Sequence, residues 1–208
     1  MQMSPVYLSP TTSSGKTLGL YVKEKLAGRP IKALVLYGPV SVVPFIDRLN
    51  GFLSVFADDH NFTLVGTPNV EVDPGKALST VKTYLQSHPD INVIYSVTDL
   101  TNAGAIAGVK EMNLLVPPDN AKHIYITGVD GNNETLSQIR AGTTDASFSQ
   151  YPYLQGVWTA RAIDYFLKGR SDTIPKGLYF GGDLVTPSNI KDFPHLWGDV
   201  AFKQDIVQ

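Results

Sequence analysis

Apolar residues along this chain fall into two kinds of pattern. Short continuous runs predict buried strands at Ile31 to Leu36, Phe62 to Val65, Val93 to Val97, Ile124 to Val129 and Asp145 to Ser149. Val6-Tyr7-Leu8 reads as a further short strand, and another is expected near Leu178 to Val185. Between these runs the apolar positions recur at helical spacing. Phe45, Leu49, Phe52 and Phe56 define an amphipathic helix from Pro44 to about Asp58. Pro74 suits a first helical turn, and Leu78, Val81 and Leu85 form the inner stripe behind it. Ser13 or Ser14 can cap a helix reaching about Leu26, where Gly28 and Pro30 stop it. Further helices are expected from about Leu100 to Met112, from Glu134 to Ala141 and from Tyr153 to Leu167, the last ended by Gly169.

Such regular alternation implies βαβ units and a mostly parallel sheet. Right-handed crossovers then place helices on both of its faces. After Gly169 the composition turns rich in Gly, Pro and aromatic residues. That tail does not easily form a second core, so it is expected to wrap the first.

This architecture gives meaning to the stretch Ile124-Tyr125-Ile126-Thr127-Gly128-Val129-Asp130-Gly131-Asn132-Asn133-Glu134. An apolar run ends in an acid, followed by a tight Gly-Asn turn and a helix start. Asp130 therefore stands at the carboxyl end of a buried strand. Ligands of open α/β sheets bind in the crevice outside those ends. The same order recurs at Val93 to Val97, Thr98 and Asp99, which points to one shared site. The plainer alternative is that these acids cap the following helix or loop, an even choice for Asp99 and the lesser one for Asp130. At Phe148-Ser149-Gln150-Tyr151-Pro152-Tyr153, Gln150 offers both a donor and an acceptor, and Pro152 stiffens the junction. This segment reads equally as a packed loop or as a hinge with Gln150 facing a cleft.

Composition narrows the chemistry. At 208 residues, one or two domains are expected. A net charge of −2 supplies no electrostatic basis for nucleic acid or an anionic membrane as partner. With no cysteine, disulfides and thiolate chemistry are excluded. No apolar run approaches the roughly 20 residues of a membrane-spanning helix. No signal peptide precedes Met1-Gln2-Met3, so an exported protein would be in a processed or engineered form. Ser13-Ser14-Gly15-Lys16-Thr17 imitates a phosphate-binding loop, but Pro10 occupies the position that needs a glycine. His60, His88, His123 and His195 are scattered, which argues against a zinc site. There is no Gly-x-Ser-x-Gly elbow to mark a serine hydrolase. No cofactor is implied.

Taken together, several segments resemble the sugar-type periplasmic binding proteins of ABC transporters. Gly128-Val129-Asp130-Gly131-Asn132 resembles that family's apolar-Asp-Gly signature. Arg48-Leu49-Asn50-Gly51-Phe52 resembles its Arg-x-x-Gly-Phe helix. His88-Pro89-Asp90 to Asp99 and Leu184 to Ile190 resemble two further segments, in the same order. The resemblance implies a Rossmann-like, flavodoxin-like lobe of a two-lobed protein that closes on ligand and presents it to a permease. It implies three divisions: residues 1–10 as a first hinge crossing, 11–149 as the carboxyl-terminal ligand-binding lobe, and 150–208 as later crossings, a helix of the other lobe and a tail. Most of the amino-terminal lobe would then lie outside this chain. The helix from Tyr153, with Val157, Trp158 and Phe166, would present an apolar face to that lobe or to a second copy. Carried over by position, Asp130 and Gln150 match the family's ligand contacts in type, Asp99 and Asn132 are further expected contacts, and Thr98 is expected at the ligand where the family has an Asn. Ile46 stands where the family has an Arg, and Val72 near a usual aromatic wall. Losing a guanidinium and an amide removes sugar hydrogen bonds, so ribose itself is not assumed. The localisation implied is periplasmic or extracellular. The rival functions are the effector domain of a LacI-type regulator, which needs a helix-turn-helix ahead of the lobe, and a flavodoxin-like enzyme or phosphoacceptor.

Overall fold

The computed structural model of the protein describes residues 11–175, 180–193 and 196–199. The strand expected at Val6 to Leu8, the start of the one expected near Leu178, and His195 lie outside them. Six strands form one sheet: β1 (Ile31–Leu36), β2 (Phe62–Gly66), β3 (Val93–Ser96), β4 (Tyr125–Asp130), β5 (Ala146–Ser149) and β6 (Asp183–Val185). Their order is β2-β1-β3-β4-β5-β6. The first five run parallel, and β6 joins β5 antiparallel. The carboxyl ends of β1, β3, β4 and β5 therefore open on one edge, with β3 and β4 adjacent.

The helices are α1 (Thr11–Lys25), α2 (Val43–Ser54), α3 (Pro74–Ser87), α4 (Asn102–Glu111), α5 (Asn133–Arg140) and α6 (Pro152–Leu167). Alternate residues of each strand face opposite sides of the sheet, and two cores follow from that alternation. Ala33, Val35, Val93 and Tyr95 pack against Leu18 and Val22 of α1 and Phe52 of α2. Leu34, Leu36, Ile94 and Ile126 pack against Ala77, Val81 and Leu85 of α3 and Ala105 and Val109 of α4. The α1–α2 pair sits so close that a methyl group on Gly51 would lie 2.0 Å from the Thr12 carbonyl oxygen. Only glycine permits that approach. Alpha-helix α2 stops at Ser54, short of the Asp58 expected from the phenylalanine spacing. Phe56 is buried all the same, from the turn beyond it.

The tail returns to the same body. Val185, Ile190 and Leu196 bury against Leu136 and Ile139 of α5. By contrast, α6 has no buried residue, and Tyr153, Leu154, Trp158, Ile163, Phe166 and Leu167 are all exposed.

Candidate functional site

The edge formed by the carboxyl ends of β3, β4 and β5 carries a polar cluster centred on Asp130. Arg48 reaches it from α2. Its Nη1 donates to the Val97 carbonyl at 2.7 Å, and its Nη2 lies 3.0 Å from Asp130 Oδ1. Gln150, just past β5, donates through Nε2 to the same Oδ1 at 2.6 Å. Thr98, just past β3, donates its hydroxyl to Oδ2 at 2.6 Å. A carboxylate offers about four lone-pair sites, so this arrangement leaves one open on Oδ2. The backbone at Asp130 is itself unusual, with φ at 136°. Such a conformation costs roughly 1–3 kcal/mol and persists only where neighbours hold it. Two donors do so here: the Gln150 backbone N–H at 3.1 Å and the Trp197 indole N–H at 2.6 Å, both on the Asp130 carbonyl.

Beside this cluster lies a cavity of about 320 Å³ lined by Leu100, Asp130, Asn132, Gln150, Pro152, Gln155 and Trp197. Its lining combines polar side chains, Asp130, Asn132, Gln150 and Gln155, with apolar Leu100, Pro152 and Trp197. Asn132 serves two ends at once. It lines the cavity, and its Oδ1 caps α5 by accepting from the Thr135 N–H at 2.8 Å. Gly131, at φ 76°, makes the turn between strand and cap.

Asp99 is not among the residues that line the cavity. It is almost fully buried, and its Oδ2 accepts from the Gly131 N–H at 2.7 Å and the Ser147 hydroxyl at 2.8 Å. Burial, and then the negative charge of Asp130, push its carboxyl up to about 7. It neither caps a helix nor reaches the cavity, and acts instead as an internal brace between β3, β4 and β5.

Of the residues expected to touch ligand, Asp130, Asn132 and Gln150 line the cavity, while Thr98 stands behind Asp130. Ile46 and Val72 do not line it. Ile46 is exposed on α2, two residues from Arg48, and two helical steps of about 100° turn it away from the guanidinium. Val72 packs near Gly38 beyond the end of β1, two strands away from β4. The sequence singles out Arg48 only within the Arg-x-x-Gly-Phe resemblance, with no contact assigned to it, and Trp197 not at all. A signal existed for Arg48: it lies three residues after Phe45 and four before Phe52, so a charge sits in an otherwise apolar stripe. For Trp197, in an irregular tail, no periodicity could have placed it.

The chain as a whole is similar to known proteins. Residues 9–171 match the model of the periplasmic binding protein domain. The chain belongs to that family. The ribose import binding protein of Haemophilus influenzae is 27% identical over 161 residues, covering 77% of this chain and 52% of that protein. The xylose/arabinose-binding protein of Sulfolobus acidocaldarius is 27% identical over 183 residues, covering 84% of this chain and 44% of that one. Among solved structures, the periplasmic binding protein component of the arabinose ABC transporter from Shewanella sp. ANA-3, bound to α- and β-L-arabinofuranose, superposes with a TM-score of 0.79. It is 26% identical, with 90% of this chain and 61% of that chain covered. This periplasmic binding protein chain thus spans about half the length of the curated relatives it matches. No helix among the described residues is long and apolar enough to cross a membrane.

Proposed function

We propose that this chain is the ligand-gripping lobe of a sugar-type solute-binding protein, acting outside the cytoplasmic membrane and delivering its ligand to an ABC permease. It binds and releases without covalent chemistry. The observation that carries the reading is the Asp130 carboxylate, braced by Arg48, Thr98 and Gln150 and left with an open acceptor at the cavity. Arg48 balances its charge, so the fitting ligand is a neutral donor such as a sugar hydroxyl. A cavity of about 320 Å³ suits a monosaccharide-sized molecule. Titration calorimetry against D-ribose, L-arabinose, D-xylose and D-galactose tests it. At least one should bind, weakly, and Asp130→Ala should abolish the heat. Binding that survives this substitution sinks the assignment of the site.

The apolar face of α6 is, on the same reading, covered in the whole protein by its other lobe. The support is the exposure of Trp158, Ile163 and Phe166 on a helix without a buried residue, together with the half-length match to relatives. Hydrogen exchange should show α6 protected in the full two-lobed protein and open in this chain. Protection in this chain that rises with its own concentration would assign the face to a second copy.

A further inference from the structure

The tail beyond β6 approaches the cavity by a route that the strand-end motifs do not foretell. Leu196 is buried against α5. The Gly198 carbonyl accepts from Asn133 Nδ2 at 2.9 Å, and Asp199 takes both guanidinium arms of Arg140. A methyl group on Gly198 would lie 2.5 Å from the Gly131 carbonyl oxygen, so the segment rests backbone against backbone on the β4–α5 turn. Between these anchors, Trp197 is only half-buried. Its indole N–H is spent on the Asp130 carbonyl, and the ring lines the cavity. An anchored aromatic ring with its polar atom already satisfied offers an apolar surface to whatever enters.

We propose that residues 196–199 are part of the ligand site, with the Trp197 ring as the wall against which the C–H face of a ring-form sugar lies. The segment thus selects for cyclic sugars over open-chain polyols, because only a ring presents a flat apolar face while its hydroxyls reach Asp130 and Gln150. It also holds the Asp130 backbone, so wall and acceptor are positioned together. The inference rests on the carbohydrate reading above.

Saturation-transfer difference NMR on the full chain tests it, with D-ribose, L-arabinose and the open-chain polyol ribitol as probes. Wild type should bind a cyclic sugar, whose C–H protons shift upfield in the complex, and should bind ribitol more weakly. Trp197→Ala should weaken binding about tenfold, and Trp197→Phe, which keeps a ring, by much less. Should Trp197→Ala fail to fold, a second readout decides. The chain has two tryptophans, so Trp158→Phe leaves Trp197 as the sole indole reporter. Its emission should change on adding the sugar. Sugar binding that Asp130→Ala abolishes, but that neither Trp197 substitution nor the Trp197 emission registers, overturns the wall and leaves the carbohydrate site standing. Wild type that binds none of the sugars overturns both.

Discussion

Two aspartates at opposite ends of neighbouring strands show what separates a sealed strut from an acid that borders a cavity. Asp145 precedes β5 at the amino end of the sheet, and Asp130 closes β4 at the carboxyl end. Both belong to dense hydrogen-bond clusters. Asp145 Oδ2 accepts from the Ile126 N–H at 2.8 Å, and Oδ1 lies 2.8 Å from His123 Nε2. The other ring nitrogen of His123 is 2.6 Å from the Val116 carbonyl. Both ring nitrogens face acceptors, so the protonated imidazolium alone satisfies both contacts. Burial works against that charge, but the Asp145 hydrogen bond and charge outweigh it and raise the pKa of His123. The cluster is sealed: His123 and Asp145 are both buried. Asp130, with a side chain 24% exposed, borders a cavity. Chemical type is shared between the two ends. What differs is that the carboxyl edge borders a cavity, lined by an aspartate that still has acceptor capacity on Oδ2.

The largest test of this contrast is Arg48→Met. Removing the buried guanidinium strands Asp130 and frees the Val97 carbonyl, and should cost about 2–3 kcal/mol, the lower end for a broken buried pair because Asp130 keeps some water. Urea unfolding measures it. A loss below about 0.5 kcal/mol would mean that the carboxyl-end cluster is not braced through Arg48.

Next comes the amino-end strut. His123 has a raised pKa in the folded chain, so its stabilisation is fully present below its ordinary value of 6.5 and is lost as pH rises through the higher folded value. Asp145→Asn should cost about 1–2 kcal/mol at pH 6 and progressively less at higher pH. Sugar binding by Asp145→Asn should match wild type, since no atom of this cluster lines the cavity. Thermal unfolding across pH together with calorimetry checks both halves.

Asp99 separates the two ends by a different slope. Its folded pKa, pushed up to about 7 by burial and then by Asp130, exceeds its ordinary 3.8. The folded state therefore holds an extra proton between those values, and stability falls as pH rises through that window. Asp99→Asn should remove the slope and be more stable than wild type at pH 8 by about 1 kcal/mol or more. The unpartnered Asn102 Oδ1 beside it can accept the new amide. Equal pH profiles for the two proteins would contradict the assignment of a buried acid there.

The smallest effect is expected from Thr98→Val. It deletes one hydroxyl from Asp130 Oδ2 at nearly constant volume and should cost about 0.5–1 kcal/mol in stability. The acceptor it frees should leave sugar affinity unchanged or slightly improved. A tenfold loss of affinity would instead make Thr98 a direct ligand contact.

The alternation of strands and helices was legible because burial periodicity is a local property of the chain. Pro74 opened α3, and the valine- and isoleucine-rich runs became β1, β3 and β4 within a residue or two. The position of Asp130 was legible for the same reason, since a strand end followed by Gly131-Asn132 is read from neighbours in sequence. Asn132 was legible as a residue of that turn, while its capping bond needed the helix to be in place. The burial of Asp99 was not legible, because a partner such as Ser147 lies forty-eight residues away. Ile46 and Val72 were carried to the site by position in a pattern, and helix rotation and strand order put them elsewhere.

The sequence by itself therefore determined the layered α/β architecture and the place of Asp130 at the carboxyl end of a strand, because both follow from short-range patterning. Only the tertiary structure decided that Arg48 balances that acid, that Asp99 is buried against Gly131 and Ser147 and that the tail returns with Trp197 to the Asp130 carbonyl. Those partners meet through the close approach of α1 and α2, the pairing of β5 with β6 and the packing of Leu196 on α5. Such contacts join residues far apart in the chain, where no local periodicity carries the information.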